Sequence, residues 1–450
     1  MAIAQRSSGR CDSFPASTHH QEEAPPKMPF ATRVPWMLAV MALVVAACAD
    51  ETGGVTTTTG EPGTTATAET TTTADTTDTT TAEDGGEPII IGAAVDLTSD
   101  MSFFDGPAIA AAQIQVDAIN AEGGVLGRQL ELRVIDTELD PDQTAAAAID
   151  LIEGGAEILL VTCDVDFATP AITEGINAGV LTLATCIGTD QMGPNRFGEA
   201  GRLAFSLGNV AQDEGAAMAE FAFDQGWRTA TIVTDNLLVY FQDVTAAFRT
   251  RWEELGGEVV AEESFTSFDG TIESVVTAVD GVEADVIATS SAFQDLPATF
   301  TQSLRALGNE TPIICSWACD GNFWVPQGLN NFYYVTFASV FGDDPEPEVN
   351  ELAAAVAEAT GQPPLTGGFV TGAAAIDAIA AAIEETGGTE GADLAAAVES
   401  FDGLPTISGP ISYSPEQHTV FGRPYRVIVI NDAVNSFLTQ WTATSPAEIR

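Results

Sequence analysis

Ile89-Ile-Ile-Gly-Ala-Ala-Val95 is an apolar run of strand length, and the phrase Asp117-Ala-Ile-Asn-Ala-Glu-Gly-Gly-Val-Leu-Gly-Arg128 follows it. Between them Ile109, Ala112, Gln113, Val116 and Ile119 recur at helical spacing, which predicts a helix over 106–121. Gly123 and Gly124 end that helix and turn the chain back toward a sheet. The next apolar run, 129–136, makes the unit strand, helix, strand, so the two strands lie parallel. A helix over 142–153 behind Pro141, a strand over 157–161, a helix over 169–178 and a strand over 180–184 continue the alternation. After a connector near 203–208 it restarts: helices over 213–224, 242–255, 272–280 and 298–307 alternate with strands over 229–234, 258–263, 285–289 and 312–315. Two successive open α/β sheets follow. The tail breaks the rhythm, with a strand over 332–338, helices near 347–360, 368–386 and 393–400, and strands around 409–412 and 425–431. Helices that return to an already formed sheet imply lobes that exchange segments: lobe I from 88–207 plus 338–424, lobe II from 208–337 plus 425–450. A ligand would then sit at the carboxyl ends of the strands facing the cleft.

Upstream of this body, the apolar run 36–47 is well short of the roughly 20 residues that span a bilayer. It follows basic Arg33 and ends Val45-Ala-Ala-Cys48, the pattern of an export signal. The ending resembles the lipobox of bacterial lipoproteins, which implies a lipid on Cys48 and a membrane anchor outside the cytoplasm; a free cysteine closing an ordinary signal is the alternative. Met28 offers a start that gives a compact signal over 28–48, so 1–27 is expected to be an untranslated or disordered extension. Residues 49–87, rich in Thr, have almost nothing to bury and are expected to form a disordered tether with a mean reach of about 35 Å.

The chain has 15 Lys and Arg against 65 Asp and Glu, a formal net charge of −50. Beyond Cys48 there is no lysine, and nucleic acid is excluded as a partner because phosphate binding needs a cationic face. Cys163, Cys186, Cys315 and Cys319 are an even set in an exported body, which argues for disulfides. An enzyme fares badly: the body holds one histidine, His418, and no nucleophile elbow, phosphate loop or His-rich metal set. No catalytic residue, cofactor or metal is expected.

The Ile89 run, the Asp117–Arg128 phrase and the helix opening Asp140-Pro-Asp-Gln-Thr-Ala resemble the branched-chain amino-acid (Leu/Ile/Val-binding) type of periplasmic binding protein over 88 to about 430. The resemblance implies a type I periplasmic-binding-protein fold, α/β, with two Rossmann-like lobes of parallel sheet joined by a multi-crossing hinge. It also implies a lipid-anchored extracytoplasmic protein that captures a small polar ligand, amino-acid-like, amide or related, and delivers it to the permease and ATPase subunits of an ABC importer. A ligand-sensing receptor without transport has the same body.

By register with that family, Phe104 is placed against the ligand, with a core role as the alternative, and Tyr240 and Phe293 are aromatic walls from lobe II. Thr189 lies close to a ligand-binding threonine. Family members that bind amino acids receive the carboxylate in a serine-rich loop; here Cys163-Asp164-Val165-Asp166 stands instead, so Asp164 and Asp166 are expected to face the ligand and disfavour a carboxylate. Asp320 resembles the acid that holds a ligand ammonium, a surface turn being the alternative for it and Trp317. Strand ends side by side, about 4.8 Å apart, favour Cys163–Cys186, leaving Cys315–Cys319 to stiffen its own loop.

Overall fold

The computed structural model describes residues 86–293 and 295–449, so the expected extension, signal and nearly all of the Thr-rich stretch lie outside the described residues. The first sheet holds β1 (Ile89–Val95), β2 (Leu130–Asp136), β3 (Ile158–Val161), β4 (Leu181–Ala184), β5 (Ala204–Asn209) and β13 (Thr419–Val420), in the order β13-β5-β4-β3-β1-β2, all parallel. Its helices are α1 (Ser102–Ala121), α2 (Pro141–Glu153) and α3 (Val165–Ala178). Gly92 lets α2 approach β1, since a Cβ there would stand 2.9 Å from the Leu151 Cβ. The stretch expected to be a connector is β5 itself, buried along its whole length. Its polar Ser206 and its Gly208 hide the strand signal, and Gly208 is needed because a Cβ would fall 2.4 Å from the Ile187 carbonyl oxygen.

The second sheet runs β15-β14-β10-β9-β8-β6-β7: β6 (Thr229–Asp235), β7 (Glu258–Phe265), β8 (Val286–Ser290), β9 (Ile313–Cys315) and β10 (Phe332–Thr336) are parallel, and β14 (Tyr425–Asn431) and β15 (Val434–Trp441) add an antiparallel edge. It is served by α5 (Ala211–Asp224), α6 (Val239–Glu254), α7 (Ile272–Asp280) and α8 (Thr301–Ala306). A short helix α4 (Pro194–Phe197) precedes β5. After β10 the chain goes back through α9 (Pro347–Thr360), α10 (Phe369–Thr386) and α11 (Gly391–Glu399), then a small hairpin of β11 (Asp402–Leu404) and β12 (Ile411–Ser412). Helix α10 covers the first sheet, where Ile376, Ile379 and Ile383 share one apolar cluster with Ile89 and Ile91. It lies so close to α1 that a Cβ on Gly372 would meet the Ala108 carbonyl oxygen.

Three crossings therefore join the halves, and Arg423 ties them together. Buried in the third crossing, it donates to Asn209 Oδ1, Ser408 Oγ and the Leu207 carbonyl, each at 2.7 Å, and lies 4.8 Å over the Phe337 ring of the second. No carboxylate is among these partners, and burial pulls its pKa down to about 10.

Candidate functional site

The carboxyl ends of β1, β3, β6, β8 and β9 meet in a cavity walled from one half by Met101, Phe104, Cys163 and Asp164, and from the other by Leu238, Tyr240, Phe241 and Trp317. Its volume is about 20 Å³, where a single water needs roughly 10–15 Å³, so anything larger than a water would fit there only if the halves parted. A larger cavity of about 580 Å³ lies between α6 and the β6–β7 edge, lined by Arg249, Glu253, Glu254 and Glu262. It is away from the strand ends where both halves converge, and the smaller cavity is the better candidate on topology.

Helices α1 and α3 start a full turn earlier than their sequence patterns indicate, and both starts matter here. Pro107 removes the amide that would bond the Phe103 carbonyl, which hides the first turn of α1; Thr366 Oγ1 donates to that carbonyl at 3.5 Å instead. Phe104 and Asp105 thus sit on a helix, with Phe104 turned into the cavity and its ring 4.6 Å from Trp317. Helix α3 begins at Val165 because Asp164 is its N-cap, its Oδ1 accepting from the Asp166 and Phe167 amides at 2.8 and 3.3 Å. Asp164 lines the cavity, and burial first, then neighbouring Asp166, pushes its pKa up to about 7.

Asp166 does not line it. Its carboxylate pairs with Arg196 at 2.8 Å and accepts the Val239 amide from the other half at 3.2 Å. Thr189 is likewise a bridge between the halves, donating from Oγ1 to Asp243. Phe293 stands one layer back, behind Phe241, at 6.2 Å between ring centres. Asp320 is 1% exposed and fully engaged, accepting from Thr336 Oγ1 at 2.6 Å and from the amides of Gly321 and Gly367. It anchors the second crossing to the approach of α10. Neither it nor Trp317, 3% exposed, lies in a surface turn. Phe104, Asp164 and Tyr240 are thus brought together at the cavity, whereas Asp166, Thr189, Phe293 and Asp320 surround it.

The residue that sequence reasoning missed is Glu214, in the first turn of α5. One oxygen accepts the Trp317 amide at 2.6 Å and the other the Tyr240 hydroxyl at 2.8 Å, so this buried carboxylate sets the position of both aromatic walls. Burial pushes its pKa up to about 7. Nothing local marks it, since Asp213 and Glu214 look like ordinary first-turn acids that favour a helix N-terminus. Trp317 itself carries a buried indole N–H with no partner.

Both disulfides are formed: Cys163–Cys186 joins the ends of β3 and β4, with Cα atoms 4.9 Å apart, and Cys315–Cys319 closes the turn after β9, at 6.0 Å. Among the described residues one group of side chains is compact enough for a metal, Asp105 with Cys163 and Cys186, and its sulfurs are those of the disulfide, not thiolates. Asp105 instead holds the ends of β1 and β3 together, accepting the Asp96 and Cys163 amides at 2.9 and 3.0 Å.

Two α/β halves, three crossings and a cavity at facing strand ends are matched by a family model described as periplasmic binding protein, over residues 88–435. The chain belongs to the periplasmic binding protein family. It is 24% identical over 326 residues to the Leu/Ile/Val-binding protein BraC3 of Rhizobium johnstonii, covering 72% of this chain and 87% of that protein. Among solved structures it is similar to the branched-chain amino acid transporter substrate binding protein LivJ from Streptococcus pneumoniae in complex with isoleucine. That likeness has a TM-score of 0.68 and 18% identity over 79% of this chain and 99% of the other. A solute binding protein of an ABC transporter from R. palustris, in complex with benzoate, is similar at 0.65 and 17%, covering 81% and 98%. At these identities the structural likeness shows the fold, and the two halves are the lobes of a type I periplasmic binding protein. Asp166, Thr189 and the Phe104–Trp317 contact are then interlobe contacts across its cleft.

Proposed function

We propose that the protein is an extracytoplasmic solute-binding subunit that captures a small polar ligand, amino-acid-like, amide or related, between its lobes and delivers it to the permease and ATPase subunits of an ABC importer. A lipid on Cys48 would tether it to the membrane. The observation that carries this reading is the cavity at the strand ends, which neither lobe can form alone. Family membership supports it, as do relatives whose names describe binding of isoleucine, leucine and valine. Phe104, Asp164 and Tyr240 are the ligand contacts in this reading. Phe293 backs the wall, Asp320 steadies the hinge, and Asp166 and Thr189 act in closure.

Closure follows from those last contacts. The Asp166–Val239 and Thr189–Asp243 bonds exist only when the lobes meet, so a ligand that touches both lobes shifts the hinge equilibrium toward the closed form by its differential affinity. A thermal-shift screen of amino acids, amides, polyamines and aromatic acids tests the reading. A true ligand at 100 times its dissociation constant adds roughly 2.7 kcal/mol of stability. A flat response across the panel, with no contraction of the particle in small-angle scattering, would count against solute binding.

A further inference from the structure

We propose that the cleft selects a ligand bearing an ammonium or similar cationic nitrogen seated against aromatic rings, and rejects one bearing a free carboxylate; this rests on the solute-binding reading above. The first observation is that three amides between the end of β3 and the first turn of α3 are already taken by the chain's own acids. Asp105 holds the Cys163 N–H, and Asp164 holds those of Asp166 and Phe167 at the start of α3. A carboxylate entering there would have to displace one of these acids and then lie beside it, two carboxyl groups competing for the same donors in a desolvated site.

The second observation is the absence of a cation among the described residues that line the cavity. The arginines are spent elsewhere: Arg196 on Asp166, Arg251 on Glu220, Arg426 on Asp344, Arg423 in the hinge. The one lysine of the chain, Lys27, precedes the body. Asp164 is the one carboxyl-bearing side chain among the described residues of the wall, and Glu214 stands directly behind Tyr240 and Trp317.

The third observation is the wall itself. Phe104, Tyr240, Phe241 and Trp317 supply ring surface from both lobes, and the negative face of an aromatic ring attracts a cation. The buried, unpartnered indole N–H of Trp317 asks in addition for an acceptor, such as a hydroxyl or carbonyl oxygen on the same ligand. The net charge of −50 raises the local concentration of cations around such a cleft. The raised pKa values of Asp164 and Glu214 fit the same picture, because a bound cation would restore both to the charged form.

Calorimetric titration of the full exported chain with choline and phenethylammonium, against leucine and benzoate, decides the matter without any substitution. The expected result is binding of a cationic probe at least tenfold tighter than either carboxylate. Trp317→Ala should weaken it at least fivefold, and Trp317→Phe, which keeps a ring and loses the N–H, should weaken choline more than phenethylammonium, which has no oxygen. Tighter binding of leucine or benzoate overturns the inference and leaves the solute-binding reading standing. Absence of binding by either cationic probe up to 10 times typical millimolar screening levels also overturns it, and the solute-binding reading is then judged by the wider thermal-shift panel.

Discussion

Glu214→Gln should change how stability depends on pH, and the size of the change follows from the burial of this carboxyl. Its pKa is raised from 4.5 to about 7 by desolvation, opposed by the bonds from the Trp317 amide and the Tyr240 hydroxyl. A carboxyl whose folded pKa lies above its unfolded value binds more protons when folded. Its contribution to stability is therefore complete below about pH 4.5 and is lost as pH rises through about 7. Between pH 5 and pH 8 the linkage amounts to roughly 2–3 kcal/mol at about 1.36 kcal/mol per pKa unit. Glutamine has the same shape and no titration. It leaves one of the two donors poorly matched, a penalty of about 1–3 kcal/mol that does not vary with pH. Urea unfolding of both proteins at pH 5 and pH 8, followed by tryptophan fluorescence, removes that constant term. Relative to wild type, the variant should be weaker by roughly 2–3 kcal/mol more at pH 5 than at pH 8. If the two differences agree within about 0.5 kcal/mol, or the order reverses, the carboxyl is ionised throughout and the desolvation argument is wrong.

Three further expectations use the same measurements or simple fractionation. Replacing Cys163 and Cys186 together by alanine opens a loop with a sequence separation of 23, which chain entropy values at about 3 kcal/mol; a loss under about 1 kcal/mol would mean the unfolded state keeps these segments together. Arg423→Lys keeps a cation and cannot reach Asn209, Ser408 and Leu207 at once, so at least ~2 kcal/mol should go, and an unchanged urea midpoint would show that water replaces those bonds. Cys48→Ser should move the protein from the membrane fraction to the soluble extracytoplasmic one, and unaltered membrane association and processing would refute the lipid anchor.

The fold was legible where the signal is local. Helix α2 carries its start on its face, with Asp140 capping the Asp142 and Gln143 amides and Pro141 in the first turn. Strand β14 is buried from Tyr425 to Ile430 and apolar apart from Arg426, and its ends are those expected, Tyr425–Asn431. Strand β15, Val434–Trp441, gives no such run because it is the outer edge of its sheet, where exposed and half-buried residues are interspersed. Strand β13 is two residues long, and it exists because the third crossing brings Thr419 and Val420 alongside β5, more than two hundred residues away. Such pairing is set by topology, and no window of sequence contains it.

The site was legible as chemistry and less so as geometry. Asp164 and Asp166 stand out as acids in an unexpected place, yet their directions differ. A residue that caps a helix points along the axis at its first amides, whereas one two positions later points sideways and finds Arg196 and the opposite lobe. Recognising the N-cap would have separated them in advance, since an Asp before a helical pattern is itself a start signal. Glu214 admits no such shortcut. Its partners are 26 and 103 residues away, and only the folded crossing between β5 and α5 brings its carboxylate beneath Tyr240 and Trp317. The crossing and the cavity wall are therefore joined: α5 begins where the chain leaves the first lobe, and its first turn holds Tyr240 and Trp317, the aromatic face of the cavity. In the solute-binding reading, hinge motion and wall position would be coupled through this single helix. A change at the start of α5 should alter ligand affinity and lobe closure together, and a change at the outer end of the same helix should alter neither.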